Sequence, residues 1–70
     1  MNLSNNHLTH LNQDIFLNCE KLVKLNLENN DIRTLQYDTF YNNKELRYLI
    51  LGYNYLDIIH RKTFIYNIKL

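Results

Sequence analysis

The sequence predicts an α/β, mainly β, solenoid with a short parallel sheet along one face, and three observations carry that expectation. The stretch LVKLNLENNDI, Leu22–Ile32, returns 24 residues later as LRYLILGYNYL, Leu46–Leu56. Beyond those stretches, Leu11, Leu35 and Ile59 keep the same step, as do Phe16, Phe40 and Phe64, the only phenylalanines of the chain. Finally, LVKLNL alternates as a half-buried strand does, whereas the longer stretch fits neither a strand's period of two nor a helix's 3.6. A fixed period of roughly 20 to 50 residues is the signature of stacked repeats, in which each unit buries its apolar face only against its neighbours.

The period divides the chain into a partial unit over 1–21, full units over 22–45 and 46–69, and Leu70 opening the next. In the partial unit, Met1, Leu3, Asn6 and Leu8 match Leu25, Leu27, Asn30 and Ile32. The shared line, LxxLxLxxNxLxxLxxxxFxxxxx, resembles the leucine-rich repeats, and with its Phe column it is similar to the typical subclass of extracellular receptors and adhesion proteins, such as insect Toll-like receptors. That resemblance implies a horseshoe whose sheet lines the concave face, a non-enzymatic protein-recognition role and no cofactor. Family members often carry LPxGxF on the opposite side; here the lines are LNQDIF, LQYDTF and IHRKTF, without Pro or Gly.

Each element follows from its place in the unit. In the strand, Leu25 and Leu27 face one way and Lys24, Asn26 and Glu28 the other, because side chains alternate across a strand. Leu49 and Leu51 against Tyr48, Ile50 and Gly52 repeat this. The column Asn6, Asn30 and Asn54 falls where the chain leaves the strand, and an inward amide, with donors and an acceptor, suits a bridge between the turn backbone of its own coil and the next. A loop or a turn of helix is expected to carry Ile32 and Leu35 and to bring Phe40 inward. Asp14 and Asp38 are candidates for a left-handed turn position, which Lys62 would fill less readily. The column Cys19, Asn43 and Asn67 leaves two readings open: a partly exposed return stretch, or asparagines that cap backbone groups.

Stacked parallel strands lie about 4.8 Å apart, so apolar columns become a continuous core. Full burial of one Leu is worth about 1.5 to 3 kcal/mol, against about 1 to 2 kcal/mol of backbone entropy for each ordered residue. A lone coil therefore loses. Seventy residues remove only about 60% of the unfolded surface from water, and the single Cys19 forms no disulfide within the chain. The sequence begins and ends inside a repeat, with no polar capping unit, so self-association through uncapped ends is expected of the isolated segment.

The net charge of +1 gives no electrostatic reason to expect nucleic acid or an acidic membrane as partner. No apolar run approaches the roughly 20 residues of a membrane span, and MNLSNNHLTH lacks the basic start and apolar stretch of a signal peptide. His7 and His10, with His60, have a loose metal-ligand spacing, but they occupy outward positions in unrelated columns. Cys19 recurs with no base or second thiol and reads as a small, buried hydrophobe. Asn2 opens the only N-glycosylation acceptor, a weak three-residue signal. Lys21, Glu45 and Lys69 share a column, as do Arg33 and Asp57, and such pairs favour stacking without indicating function.

No acid, base or ligand set recurs, so neither a catalytic nor a metal site is expected. The functional expectation is a protein ligand, or a neighbouring repeat, on the outward strand row: Lys24, Asn26, Glu28, Tyr48 and Ile50, with Asn2 and Ser4 in the first coil. Tyr53 and Tyr55 replace Asn29 and Asp31 of the preceding coil and add a Tyr-rich patch, a composition favoured at interfaces. The alternative is a structural spacer, in which Ile50 and the tyrosines only shield the next coil.

Overall fold

Residues 24 positions apart lie side by side in the computed structural model, which describes residues 1–11, 13–56, 59, 63–64, 67 and 69–70. Strand β1 (Lys24–Asn26) pairs in parallel with β2 (Tyr48–Ile50), setting Lys24 opposite Tyr48, Leu25 opposite Leu49 and Asn26 opposite Ile50. The first coil joins through a parallel bridge between Asn2 and Asn26. Bonds between coils repeat with the period: the Leu3 N–H donates to Asn26 O at 2.8 Å and the Leu27 N–H to Ile50 O at 2.8 Å. Further round, Asp31 N–H reaches Leu8 O and Tyr55 N–H reaches Ile32 O, each at 2.9 Å. The chain is a solenoid with a two-stranded parallel sheet and, among the described residues, a single 3-10 turn at Gln13–Phe16. No helix of the described residues is long and apolar enough to cross a membrane.

The buried core runs along the chain from Leu11 to Leu46. Leu25, Leu27, Ile32 and Phe40 of the middle coil are fully buried, whereas Leu3, Leu8, Leu49, Leu51, Leu56 and Phe64 of the flanking coils are partly buried against them. Leu11, Phe16, Leu35 and Leu46 complete the core. The phenylalanine rings form one stack, Phe16 to Phe40 at 5.6 Å between centroids and Phe40 to Phe64 at 6.0 Å, with interplanar angles of 27° and 14°. Those separations lie in the range where ring pairs attract beyond their buried area.

The left-handed turn position is not where the aspartates stand. Asp14 lies in the 3-10 turn and Asp38 in a turn before Phe40, and neither has positive φ; Lys62 lies outside the described residues. Among the described residues, the left-handed ones are instead Asn5 (φ 58°), Asn29 (φ 58°) and Tyr53 (φ 54°), one column just past the strand. The chain reverses there before it places the inward Asn, and this conformation, not the convex return, calls for the tolerant residue type. Asn adopts it readily because a short polar side chain bonds locally. Tyr53 has no such compensation. Tyr53→Asn is expected to raise stability by about 1 kcal/mol in a urea melt; an unchanged or lower midpoint would show that the turn is not strained.

Of the two readings for Cys19, Asn43 and Asn67, the structure takes capping. Asn43 is fully buried and its Nδ2 donates to Phe16 O at 3.0 Å and Cys19 O at 2.9 Å. Asn67 repeats this one coil later, donating to Phe40 O at 3.0 Å and Asn43 O at 2.8 Å. The carbonyls they hold already close the local turns, from Cys19 N–H to Phe16 O and from Asn43 N–H to Phe40 O. A second amide column thus runs along the side away from the sheet. Among the described residues, the buried Oδ1 atoms of Asn43 and Asn67 have no hydrogen-bond partner. Cys19 is half-buried with a free thiol.

Candidate functional site

The sheet's outward row is a mixed surface. Lys24 and Tyr48 are exposed; Asn26, Glu28, Ile50 and Ser4 are half-buried, and Asn2 is exposed. Asn26 also shapes its own backbone, because its Oδ1 accepts the Glu28 N–H at 2.9 Å. Asn2 does the same for Ser4, accepting its N–H at 3.0 Å and its hydroxyl at 2.6 Å. These are the local turns that Asn forms with the backbone two residues on. Ile50 has no acceptor to offer Gly52, so the third coil gives up that turn for apolar area. The strand alternation placed these side chains outward but gave no sign that two of them bond the backbone N–H two residues on; an Asn followed two places on by a small or acidic residue at the strand end was the available signal.

Behind this row, Asn30 joins two coils. Its Nδ2 donates to Leu27 O and to Leu3 O, each at 3.0 Å, and its Oδ1 accepts the Leu8 N–H at 3.2 Å. Asn54 does the same with Leu51 O at 2.9 Å, Leu27 O at 3.0 Å and the Ile32 N–H at 3.1 Å. Asn6 holds Leu3 O at 2.9 Å and Ser4 O at 3.2 Å within its own turn. Each inter-coil bridge runs to the preceding coil and not, as expected from the sequence, to the next. The N–H and C=O of one strand residue point the same way, and Leu27 N–H already faces the following coil at Ile50. Its carbonyl therefore faces that coil too, where only Asn54 can meet it.

Three tyrosines of the third coil remain in water: Tyr48 is 59% exposed, Tyr53 80% and Tyr55 60%. The Arg33 guanidinium lies over the Tyr55 ring, 5.8 Å from its centroid. Asp57, the expected partner of Arg33, is outside the described residues. In the preceding coils, the positions of Tyr53 carry Asn5 and Asn29, joined side chain to side chain at 2.6 Å.

The remaining candidates are dispersed. His7 Nδ1 lies 3.5 Å from Asp31 Oδ2 on an open surface, and His10 Nδ1 lies 2.9 Å from the Thr9 hydroxyl. His60 falls outside the described residues, among which no three His, Cys, Asp or Glu side chains come together as a metal set. Lys69 Nζ meets Glu45 Oε2 at 2.6 Å, and this lysine, by hydrogen bond and charge, holds the Glu45 carboxyl below its ordinary value. A lowered folded-state pKa means that any stabilisation from the pair is present above the ordinary glutamate range and disappears as pH falls through the depressed value.

A family model described as Leucine rich repeat matches residues 1–56 and again 22–69. Comparison with curated proteins and with solved structures gives no match. Those two matches together cover residues 1–69 of a chain whose leucine, asparagine and phenylalanine columns stack coil on coil, and the protein belongs to the leucine-rich repeat family.

Proposed function

We propose that this chain is a recognition segment of a longer leucine-rich repeat array, within a receptor or adhesion ectodomain, that binds a protein partner on the outward face of its sheet, the concave side of a horseshoe. Domains of this family generally mediate protein–protein interaction and are not enzymes. The observation that carries the reading is the set of exposed tyrosines on one coil, Tyr48, Tyr53 and Tyr55, beside the exposed Lys24 and the half-buried Ile50. Tyrosine buries a large area on binding while its hydroxyl keeps a hydrogen bond, and its two side-chain torsions lose little entropy. A sheet held by repeated inter-coil bonds presents these groups already in place, which lowers the ordering cost of association.

The test pans a displayed random-peptide library on the whole chain and compares recovered binders on the wild type and on a Tyr48→Ala, Lys24→Ala double variant. Both side chains are exposed, so folding stability should change by less than about 0.5 kcal/mol per substitution. Affinity should fall about tenfold or more, as for loss of an aromatic anchor. Unchanged affinity at unchanged stability would instead identify these coils as a structural spacer.

A further inference from the structure

Asn5, Glu28, Asn29 and Tyr53 line a notch of about 340 Å³ to which all three coils contribute. Its one acidic group is the Glu28 carboxylate. Across the sheet, Glu28 has Ser4 on one side and Gly52 on the other, both small, at equivalent positions of the neighbouring coils. Gly52 is the only glycine of the chain and does not have positive φ, so the backbone does not require a glycine there. A Cβ at that position would sit 3.7 Å from Glu28 Oε1 and 3.9 Å from its Cγ, in ordinary contact. What glycine provides is open space beside the carboxylate. Any longer side chain would roof it.

The walls fit the same purpose. Tyr53 stands 80% exposed in a left-handed conformation that an aromatic residue rarely adopts, and strain of that kind clusters at ligand sites. Because Asn29 donates its Nδ2 to Asn5 Oδ1, the Asn29 Oδ1 remains as a further acceptor. Among the described residues, no cationic side chain pairs with Glu28. One carboxylate and two amides are too few for calcium, which takes about six to eight oxygens. A planar guanidinium fits better: it bonds a carboxylate through two N–H groups and stacks on an aromatic ring.

We propose that this notch receives an arginine side chain of the protein partner, with Glu28 as its counter-ion, Tyr53 as its stacking wall and Gly52 keeping the entrance open. The proposal rests on the protein-recognition reading above and names the chemistry of the partner at one point. It is tested by titrating the whole chain with N-acetyl-arginine methylamide and following backbone amide shifts by NMR.

Saturable shifts are expected at Glu28, Asn29 and Tyr53, and the uncharged citrulline analogue should bind about tenfold more weakly. Glu28→Gln, which keeps the shape, should weaken the arginine probe by a similar factor, and Gly52→Val should abolish its shifts while the rest of the spectrum stays folded. Tyr48→Ala, outside the notch, should leave the titration unchanged; peptide binding lost in that variant with the titration intact separates the two readings. No saturable shift, or an equal response to the citrulline analogue, would overturn the notch and leave Tyr48-dependent recognition standing.

Discussion

Phe40→Ala is expected to lower folding stability by about 3 to 5 kcal/mol, the largest single effect in the chain. Phe40 is fully buried and has a phenylalanine ring on both sides, at 5.6 and 6.0 Å. Its removal takes away transfer energy and two ring contacts of about 0.5 to 1.5 kcal/mol each. A hole also opens between coils that a flat stack cannot easily close. Folded domains hold only about 0.05 to 0.15 kcal/mol per residue, so for 70 residues this one change consumes much of the whole. Phe64→Ala should cost clearly less, because Phe64 is half-buried and, among the described residues, stacks on one ring alone. Urea melts followed by circular dichroism give the comparison. Equal losses for the two would mean that the rings do not work as one continuous column.

The periodicity that made Phe16, Phe40 and Phe64 visible as a set is a property of equal positions, and equal positions are what the solenoid stacks. That is why the strand register, Lys24 opposite Tyr48, and the leucine columns could be read without coordinates. Direction along the stack was not legible, since a column of asparagines is the same read up or down; only the orientation of the Leu27 N–H and C=O decides that Asn54 reaches back to Leu27. The left-handed column was obscured for another reason. Its third member is Tyr53, a residue type that disfavours the conformation, so the pattern Asn5, Asn29, Tyr53 does not announce itself. Asn43 and Asn67 looked ambiguous because a polar residue in a core-proximal column fits either exposure or capping, and only full burial beside the Phe16 and Phe40 carbonyls separates them.

On the outward face, the sequence determined which side chains point to solvent but not which are already engaged. Asn26 lies in the row and yet commits its oxygen to Glu28 N–H, while Tyr55 lies near it under Arg33. Glu28 gained significance only from what flanks it. A glycine in a repeat usually signals a backbone demand, and here it signals room.

Asn30→Leu is expected to destabilise by about 2 kcal/mol although it adds apolar bulk. The Asn30 side chain is 4% exposed and holds two carbonyls, Leu3 O and Leu27 O, and one N–H, that of Leu8. Leu3 O keeps the Asn6 amide and Leu27 O keeps the Asn54 amide, so each carbonyl loses one of two bonds, worth about 0.5 to 1.5 kcal/mol, whereas the Leu8 N–H loses its partner at a cost of about 1 to 3 kcal/mol; together these outweigh the roughly 1.5 to 3 kcal/mol from burying one Leu. Asn29→Leu is an imperfect reference, because at φ 58° a leucine adds about 1 to 2 kcal/mol of backbone strain of its own; it should still lose less than Asn30→Leu. Thr34→Leu, at an exposed site, isolates the effect of added bulk and should stay within about 0.5 kcal/mol. Asn54→Leu should fall between, since Asn54 makes the same three kinds of bond but is only half-buried, so water can replace part of what it supplies. If Asn30→Leu melted with Thr34→Leu, the Leu8 N–H would have found another partner between the coils, and the amide column would not be what joins them.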